Sequence, residues 1–382
     1  ETPEEELCAR KAYTFTIPVF GKNIVYDSDH DSFQQQRRFI SGGLTKKRFD
    51  KYVSLILEEA HMYVQDTWKT GSGQTDMMDF FNELLVNTAA RCLQGDEIRS
   101  ALQAGPFSRL MGDLDRALSA ISYFFPYWPL PVNLRRDKAR KEIVKIFQNI
   151  ISKRESTGTR GEDMLQVFMD SAYTDGRKLT HDEIAGLCVA LMLAGQHTSN
   201  VTSAWLGSYI MTQPGVKQRV LAEMNSVVPA GSELDFNALK NMPYLNNCLK
   251  ETLRLNPPIV IVQRYAEVDF HYKDYTVPKG TLIAVSPTVA HRLEEIFPNP
   301  EHFDPDRFDR KEDKAKQYSY IAFSAGRHAC IGEQFANVQI KTVWFYLFRN
   351  YEIEMVSGKM PEADYTTMIV SPIKPLISYK KI

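Results

Sequence analysis

Between Thr180 and about Thr212 the chain carries one helical signal long enough to organise everything else around it. Thr180-His-Asp-Glu183 has capping-box spacing, in which a hydroxyl and a carboxylate three residues on satisfy each other's backbone N–H groups. Gln213-Pro214 closes the stretch, because proline cannot donate and turns the residue before it away from helix. From Ile184 to Ala194 the helix is apolar on most sides rather than along one stripe, so it belongs in the middle of a protein. The expected fold is mainly α with a minor β portion.

The rest of the chain agrees with that class. Lys51–Trp68 and Asp137–Ser152 alternate apolar and charged positions at helical spacing, while Thr157–Gly161 reads as an exposed loop and Tyr173–Lys178 as a turn. After Pro257-Pro258 the texture changes to short β-prone pieces at Ile259–Val262, Val268–Tyr272 and Thr281–Val285, and the tail from Tyr351 to Ile382 is strand and turn. A length of 382 residues alone suggests two or three domains, but no linker stands out, so 1–382 is expected to form a single domain.

A formal net charge of -1 offers no basic excess for nucleic acid. The five cysteines are odd in number and scattered without a CxxC pair. That argues against a disulfide framework and a structural zinc site, and for a reducing compartment. The longest uncharged apolar run, Ile184 to Gly195, is shorter than a membrane span and reads as a core segment. The abrupt start, Glu-Thr-Pro-Glu-Glu-Glu, reads as the edge of an N-terminally trimmed chain.

Chemistry enters at Phe323-Ser-Ala-Gly-Arg-His-Ala-Cys-Ile-Gly-Glu333. Cys330 stands in a glycine-punctuated loop directly before an amphipathic helix, whose Ile331, Phe335, Val338, Thr342 and Phe345 recur at three- and four-residue steps. A helix start favours thiolate over thiol, and Gly326 and Gly332 let backbone turn tightly beside something flat. An axial ligand to iron fits this arrangement; a buried structural cysteine is the competing reading.

The loop resembles the haem-binding loop of the cytochrome P-450 superfamily: Phe323, two residues, Gly326, three residues, Cys330, one residue, Gly332. Two further motifs precede it in the superfamily's order. Glu251 and Arg254, at i and i+3, resemble its Glu-x-x-Arg pair, which a later arginine locks; Arg307 in Phe303-Asp-Pro-Asp-Arg-Phe308 is the candidate, and the implied role is structural. Ala194-Gly-Gln-His-Thr-Ser199 falls where that superfamily binds and protonates oxygen, which makes Thr198 the first choice for the proton network and His197 the second. The implied architecture is the cytochrome P-450 fold, with haem between the long central helix and the cysteine loop.

Two departures point to one branch. His197 replaces the usual acid, and His328 stands where most members carry arginine; both resemble the sterol 14α-demethylases. Tyr13-Thr-Phe-Thr-Ile-Pro-Val-Phe-Gly-Lys-Asn-Ile-Val-Tyr-Asp27, by itself an aromatic strand-and-turn stretch, resembles that branch's substrate-side segment. By that resemblance Phe15, Phe20, Ala190, Leu193, Ala194, Ile259, Ile261 and Met368 would line a sterol slot. Cys330, Tyr13, Tyr26, Arg38, Arg264, His328, Phe323 and Gly326 would hold haem b, with Cys330 as the iron's axial ligand. A bulky residue at Phe15 goes, in that branch, with sterols bearing one C4 methyl group. Tyr123–Pro131, aromatic and uncharged, reads as a membrane-interface or ligand-entry surface, or else as a buried loop.

The resemblance implies three successive oxidations that release a sterol's 14α-methyl group as formate and leave a 14,15 double bond. Electrons would come from NADPH through a separate cytochrome P-450 reductase, since no dinucleotide-binding glycine fingerprint is visible. A monomer is expected, anchored to the endoplasmic reticulum membrane in the full-length protein with its catalytic domain on the cytosolic side. Two readings stay open: a cytochrome P-450 hydroxylase of another lipid, and a non-catalytic haem- or lipid-binding protein.

Overall fold

The computed structural model describes residues 5–103, 106–310, 318–365 and 369–382. Two compact units emerge, one of Glu1–Thr45, Ala89–Ala194 and Val262–Val285, the other of Lys46–Thr88, Gly195–Ile261 and Ser286–Ile382. The long helix, His181–Thr212, is divided between them after Ala194. Its start is the reciprocal capping box: the Glu183 N–H donates to Thr180 Oγ1 at 3.2 Å, and the Thr180 N–H to Glu183 Oε2 at 2.7 Å. Contrary to expectation, this helix is long and apolar enough by composition to cross a membrane, because the residues from Gln196 to Thr212 carry no Asp, Glu, Lys or Arg; yet 61% of its most apolar window is buried in the protein, which makes it a core helix.

In the first unit, Pro131–Thr157 is the main helix, longer at both ends than its periodicity suggested, with Ile143, Phe147 and Ile151 in the core. Pro131 suits the start, where its missing N–H costs nothing, and Gly158 ends the helix in the left-handed region. Arg154 is buried among carboxylates, donating to Asp163 Oδ1 at 3.0 Å, to Asp163 Oδ2 at 2.8 Å and from Nε to Glu97 at 2.9 Å. A small antiparallel sheet orders Leu7–Cys8, Val262–Ala266 and Leu282–Val285, with Leu7 opposite Ala266 and Val262 opposite Val285.

Two expectations need correction here. Tyr13–Asp27 is not strand and turn: it forms short helical pieces at Thr14–Thr16, Ile17–Phe20 and Val25–Asp27. The alternation of Tyr13, Phe15 and Ile17 imitates a strand, but Pro18 sits in the first turn of a helix that Gly21 ends at φ 117°. The β-prone piece expected at Ile259–Val262 is shifted along the chain: the strand begins at Val262 and runs to Ala266.

In the second unit, Lys46–Thr67 packs against Glu333–Asn350, with Tyr52 edge-on to Phe335 at 5.7 Å. Trp205 and Trp344 are buried, and each satisfies its ring N–H on a backbone carbonyl, Val370 at 3.2 Å and Ser203 at 3.1 Å. A three-stranded antiparallel sheet places Leu376–Lys381 between Ser72–Asp76 and Tyr351–Met355.

Candidate active site

The cysteine loop is built from two turns and a closing bond. The Ser324 N–H donates to Ile321 O at 2.9 Å with Ser324 at φ 58°, and Gly326 follows at φ 63° into a short 3-10 turn through His328. The Cys330 N–H then donates to Phe323 O at 2.8 Å, and Gly332 caps the helix that begins at Glu333. Gly326 is needed for its backbone angle. Gly332 is not, with φ at -86°, and among the described residues a Cβ there would meet only Cys330 Sγ, at 3.8 Å.

The cysteines themselves test whether a haem fits. Cys92, Cys188 and Cys248 are buried, and burial pushes the Cys188 and Cys248 thiols up, so they stay protonated. Cys8 is half-buried. Cys330 alone of the five is exposed, two residues ahead of Gly332, the cap of a helix whose first N–H groups favour negative charge. The residues present fit a thiolate-ligated porphyrin.

On the long helix, Ala190, Ala194 and Thr198 follow one another at i and i+4, and none is buried although most of the helix is. Ala194 is exposed, and a Cβ on Gly195 would meet nothing within 4 Å among the described residues. Leu193, turned about 100° from that stripe, is buried. Thr202 Oγ1 donates to the Thr198 carbonyl at 2.6 Å, the backward bond by which a hydroxyl loosens a helix turn. Ile259 and Ile261, 44% and 47% exposed, leave two large aliphatic side chains uncovered beside buried Pro257 and Pro258.

Glu251, Arg254 and Arg307 come together with solvent excluded. Arg254 donates from Nε to Glu251 Oε2 at 2.8 Å and from Nη2 to Oε1 at 2.9 Å; Arg307 donates from Nε to the same Oε1 at 2.9 Å. The remaining guanidinium donors reach the backbone carbonyls of His291, Pro298 and His302. Sequence reasoning missed His291, which is buried and touches both this cluster and the cysteine loop. Its signal was too weak, a lone histidine in a Pro-rich connection.

The first unit gathers its expected residues around Gln263. The Gln263 N–H donates to the Tyr13 hydroxyl at 3.1 Å, Tyr123 donates to Gln263 Oε1 at 3.2 Å, and Arg264 Nη1 donates to the Gln263 carbonyl at 2.7 Å. Tyr13 stacks on Tyr26 at 4.5 Å, and buried Phe15 lies 4.9 Å from Tyr123. Phe20 is buried, its carbonyl accepting from Arg140 at 3.0 Å, whereas Arg38 is exposed on the His30–Gly43 helix. Buried Gln36, also missed, fixes the Tyr26 turn: it accepts from the Val25 N–H at 2.9 Å and donates to the Asn23 carbonyl at 2.8 Å. Val25, at φ 50°, is a β-branched residue in a region it avoids, and the Gln36 amide holds it there. Met368 lies outside the described residues.

A helix-dominated chain with a cysteine loop ahead of one helix and a buried Glu-Arg-Arg cluster behind it has the architecture of a haem-thiolate protein. The chain belongs to the cytochrome P450 family of haem-thiolate monooxygenases, whose sequence profile, Cytochrome P450, matches residues 4–378. It is 41% identical over 96% of its length to the sterol 14-demethylase of Arabidopsis thaliana, covering 76% of that protein. It is also 41% identical to the obtusifoliol 14-alpha demethylase of Sorghum bicolor, over 99% of this chain and 78% of that one. Identity to the lanosterol 14-alpha demethylase of Bos taurus is 40%, over 99% and 75%. Among solved structures, the retinoic acid bound cyanobacterial CYP120A1 superposes with a TM-score of 0.87 at 20% identity, covering all of this chain and 86% of that one, a likeness of fold.

Proposed function

We propose that this chain is the catalytic domain of a sterol 14α-demethylase of sterol biosynthesis, and that its two units together form one such domain. The observation that carries the reading is the pair of departures from the superfamily, His197 and His328, in a chain about 40% identical over nearly its whole length to demethylases of plants and mammals. The substrate is a sterol precursor whose 14α-methyl carbon is oxidised three times and leaves as formate. Electrons start at NADPH and arrive through a separate cytochrome P-450 reductase. Haem b held through Cys330 supplies the activation of dioxygen and its insertion into a C–H bond.

The chain's own residues bind, orient and move protons. Tyr13, Tyr26, Arg38, Arg264 and His328 would hold the two propionates, with Phe323 and Gly326 shaping the loop around Cys330. Thr198 Oγ1 and the His197 ring would hold and relay the protons that oxygen consumes. Phe15, Phe20, Ala190, Leu193, Ala194, Ile259, Ile261 and Met368 would wall an apolar slot, where binding comes from buried area at roughly 25 cal/mol per Å². Phe15 narrows the slot where a C4 substituent would lie, which favours sterols with a single C4 methyl group.

The exposed aromatic loop supports a membrane-facing entrance. Phe124, Phe125, Tyr127 and Trp128 all stand in solvent, pinned from below by buried Asn133, which donates to the carbonyls of Phe125 and Trp128 at 2.9 Å each. The proposed setting is the cytosolic side of the endoplasmic reticulum membrane, with the enzyme a monomer.

The test is turnover with NADPH, reductase and dioxygen on obtusifoliol-like and lanosterol-like sterols. The expected products are formate and a 14,15-unsaturated sterol. A hydroxylated product that keeps the methyl carbon would overturn the reading in favour of another lipid hydroxylase. Thr198→Ala is expected to consume dioxygen without matching product; a non-catalytic binder would be indifferent to it.

A further inference from the structure

We propose that His291 is a positioning residue that transmits the rigidity of the buried Glu251 cluster to the cysteine loop. The inference rests on the reading of Cys330 as the iron ligand. His291 caps the short helix Pro287–Ala290 and is fully buried. The Ile321 N–H donates to its Nε2 at 2.9 Å, so that nitrogen carries the lone pair. The proton therefore sits on Nδ1, which donates to the Arg254 carbonyl at 3.2 Å. The His291 carbonyl in turn accepts from Arg254 Nη1 at 2.9 Å. One histidine thus grips Arg254 twice, through its backbone and through its ring.

The other side of the ring leads to the ligand. Ile321 opens the turn whose carbonyl accepts from Ser324, and Phe323, inside that turn, accepts the Cys330 N–H at 2.8 Å. From Glu251 to Cys330 the path runs through Arg254, His291, Ile321 and Phe323, with every link a hydrogen bond or a short piece of backbone. Tyr320 stacks on the His291 ring at 5.1 Å and 15°, and its hydroxyl donates to the Lys250 carbonyl at 3.1 Å, which holds the ring plane from one face. A buried neutral imidazole presenting one donor and one acceptor in opposite directions is what such a relay requires. Burial among arginines keeps it neutral, with its pKa lowered to about 4.

The experiment compares wild type with His291→Phe, His291→Gln and His291→Asn, all haem-loaded at neutral pH. Three readouts are taken: thermal midpoint, haem retained per protein, and the fraction of the reduced carbon monoxide complex showing the red-shifted thiolate band. Phenylalanine keeps the stack on Tyr320 but loses both ring hydrogen bonds. Glutamine restores an acceptor near the Nε2 position; asparagine keeps only a donor near Nδ1. The expected result is at least a twofold loss of thiolate-ligated haem in the Phe and Asn variants, well below their melting temperatures, with rescue by Gln. A Phe variant that melts earlier yet keeps the full thiolate band would overturn the proposal. If the Phe variant does not fold, equal thiolate fractions in Gln and Asn would overturn it instead. A wild type without the red-shifted band would refute the assignment of Cys330 itself.

Discussion

Arg307 donates to the same carboxylate oxygen of Glu251, Oε1, that Arg254 reaches through Nη2, so two buried cations from segments 53 residues apart share one anion. The cluster carries a net positive charge inside the protein, and the carbonyls of His291, Pro298 and His302 offset what the carboxylate leaves. Such an arrangement says little about net stability but a great deal about the cost of removing a member.

Glu251→Gln is therefore expected to be far worse than its size suggests. Two desolvated guanidinium groups lose the one anion within 3 Å of them among the described residues, a loss of about 3–5 kcal/mol by analogy with broken buried pairs. Urea unfolding measures this, and haem content on expression is expected to fall with it. A loss below about 1 kcal/mol would mean that water enters the cluster.

Acidification offers a second test. The folded pKa of His291, about 4, lies below its ordinary value of 6.5, so unfolded chain takes up a proton that folded chain refuses. The stabilising contribution is whole above pH 6.5 and is lost as pH falls from about 6.5 to about 4, amounting to about 3 kcal/mol at ~1.4 kcal/mol per pH unit. The difference in unfolding free energy between wild type and His291→Phe should shrink across that window. A difference independent of pH would place the imidazole in a wetter setting.

Glycines on the long helix separate structural need from ligand need. At Gly207 a Cβ would sit 2.1 Å from the buried Trp344 ring, so Gly207→Ala is expected to destabilise. At Gly195 it would meet nothing within 4 Å among the described residues, so Gly195→Ala should stabilise haem-free protein by up to about 1 kcal/mol through helix propensity. The same substitution is expected to weaken sterol binding about tenfold or more, read by the spectral shift on titration. Gain of stability with unchanged affinity would show that the open space at Gly195 is not used.

The aromatic loop predicts adhesion. Phe124 and Trp128, 71% and 58% exposed, are expected to insert into neutral phospholipid vesicles. Replacing both with serine should cut vesicle partitioning about tenfold or more, since each large apolar side chain buried contributes about 1.5–3 kcal/mol. Co-sedimentation measures it, and equal sedimentation of both proteins would count against this face.

Much of the site was legible because it is written in local, directional signals. The capping box at Thr180, the Gly326-to-Cys330 spacing and the Glu251–Arg254 step each fix geometry within a few residues. What escaped was long-range or disguised. Tyr13–Asp27 alternates like a strand, but Pro18, Gly21 and the reach of Gln36 across the chain coil it into helical turns. His291 takes its meaning from Arg254 and Ile321, 37 and 30 residues away, and no local pattern announces such a partner. The stripe of Ala190, Ala194 and Thr198 separated from Leu193 only once the helix phase was known.

The Glu251 cluster also has a kinetic consequence. Its members lie at Glu251, Arg254, His291, His302 and Arg307, so it cannot form until a loop of more than fifty residues has closed. A half-assembled cluster would hold an arginine without its anion, a state costlier than either extreme. Assembly of this region is therefore expected to be abrupt and late in folding, with high contact order slowing it. A nascent chain would then have no platform for the cysteine loop until residues beyond Arg307 have been made, and haem offered before that point would find no fixed thiolate to bind.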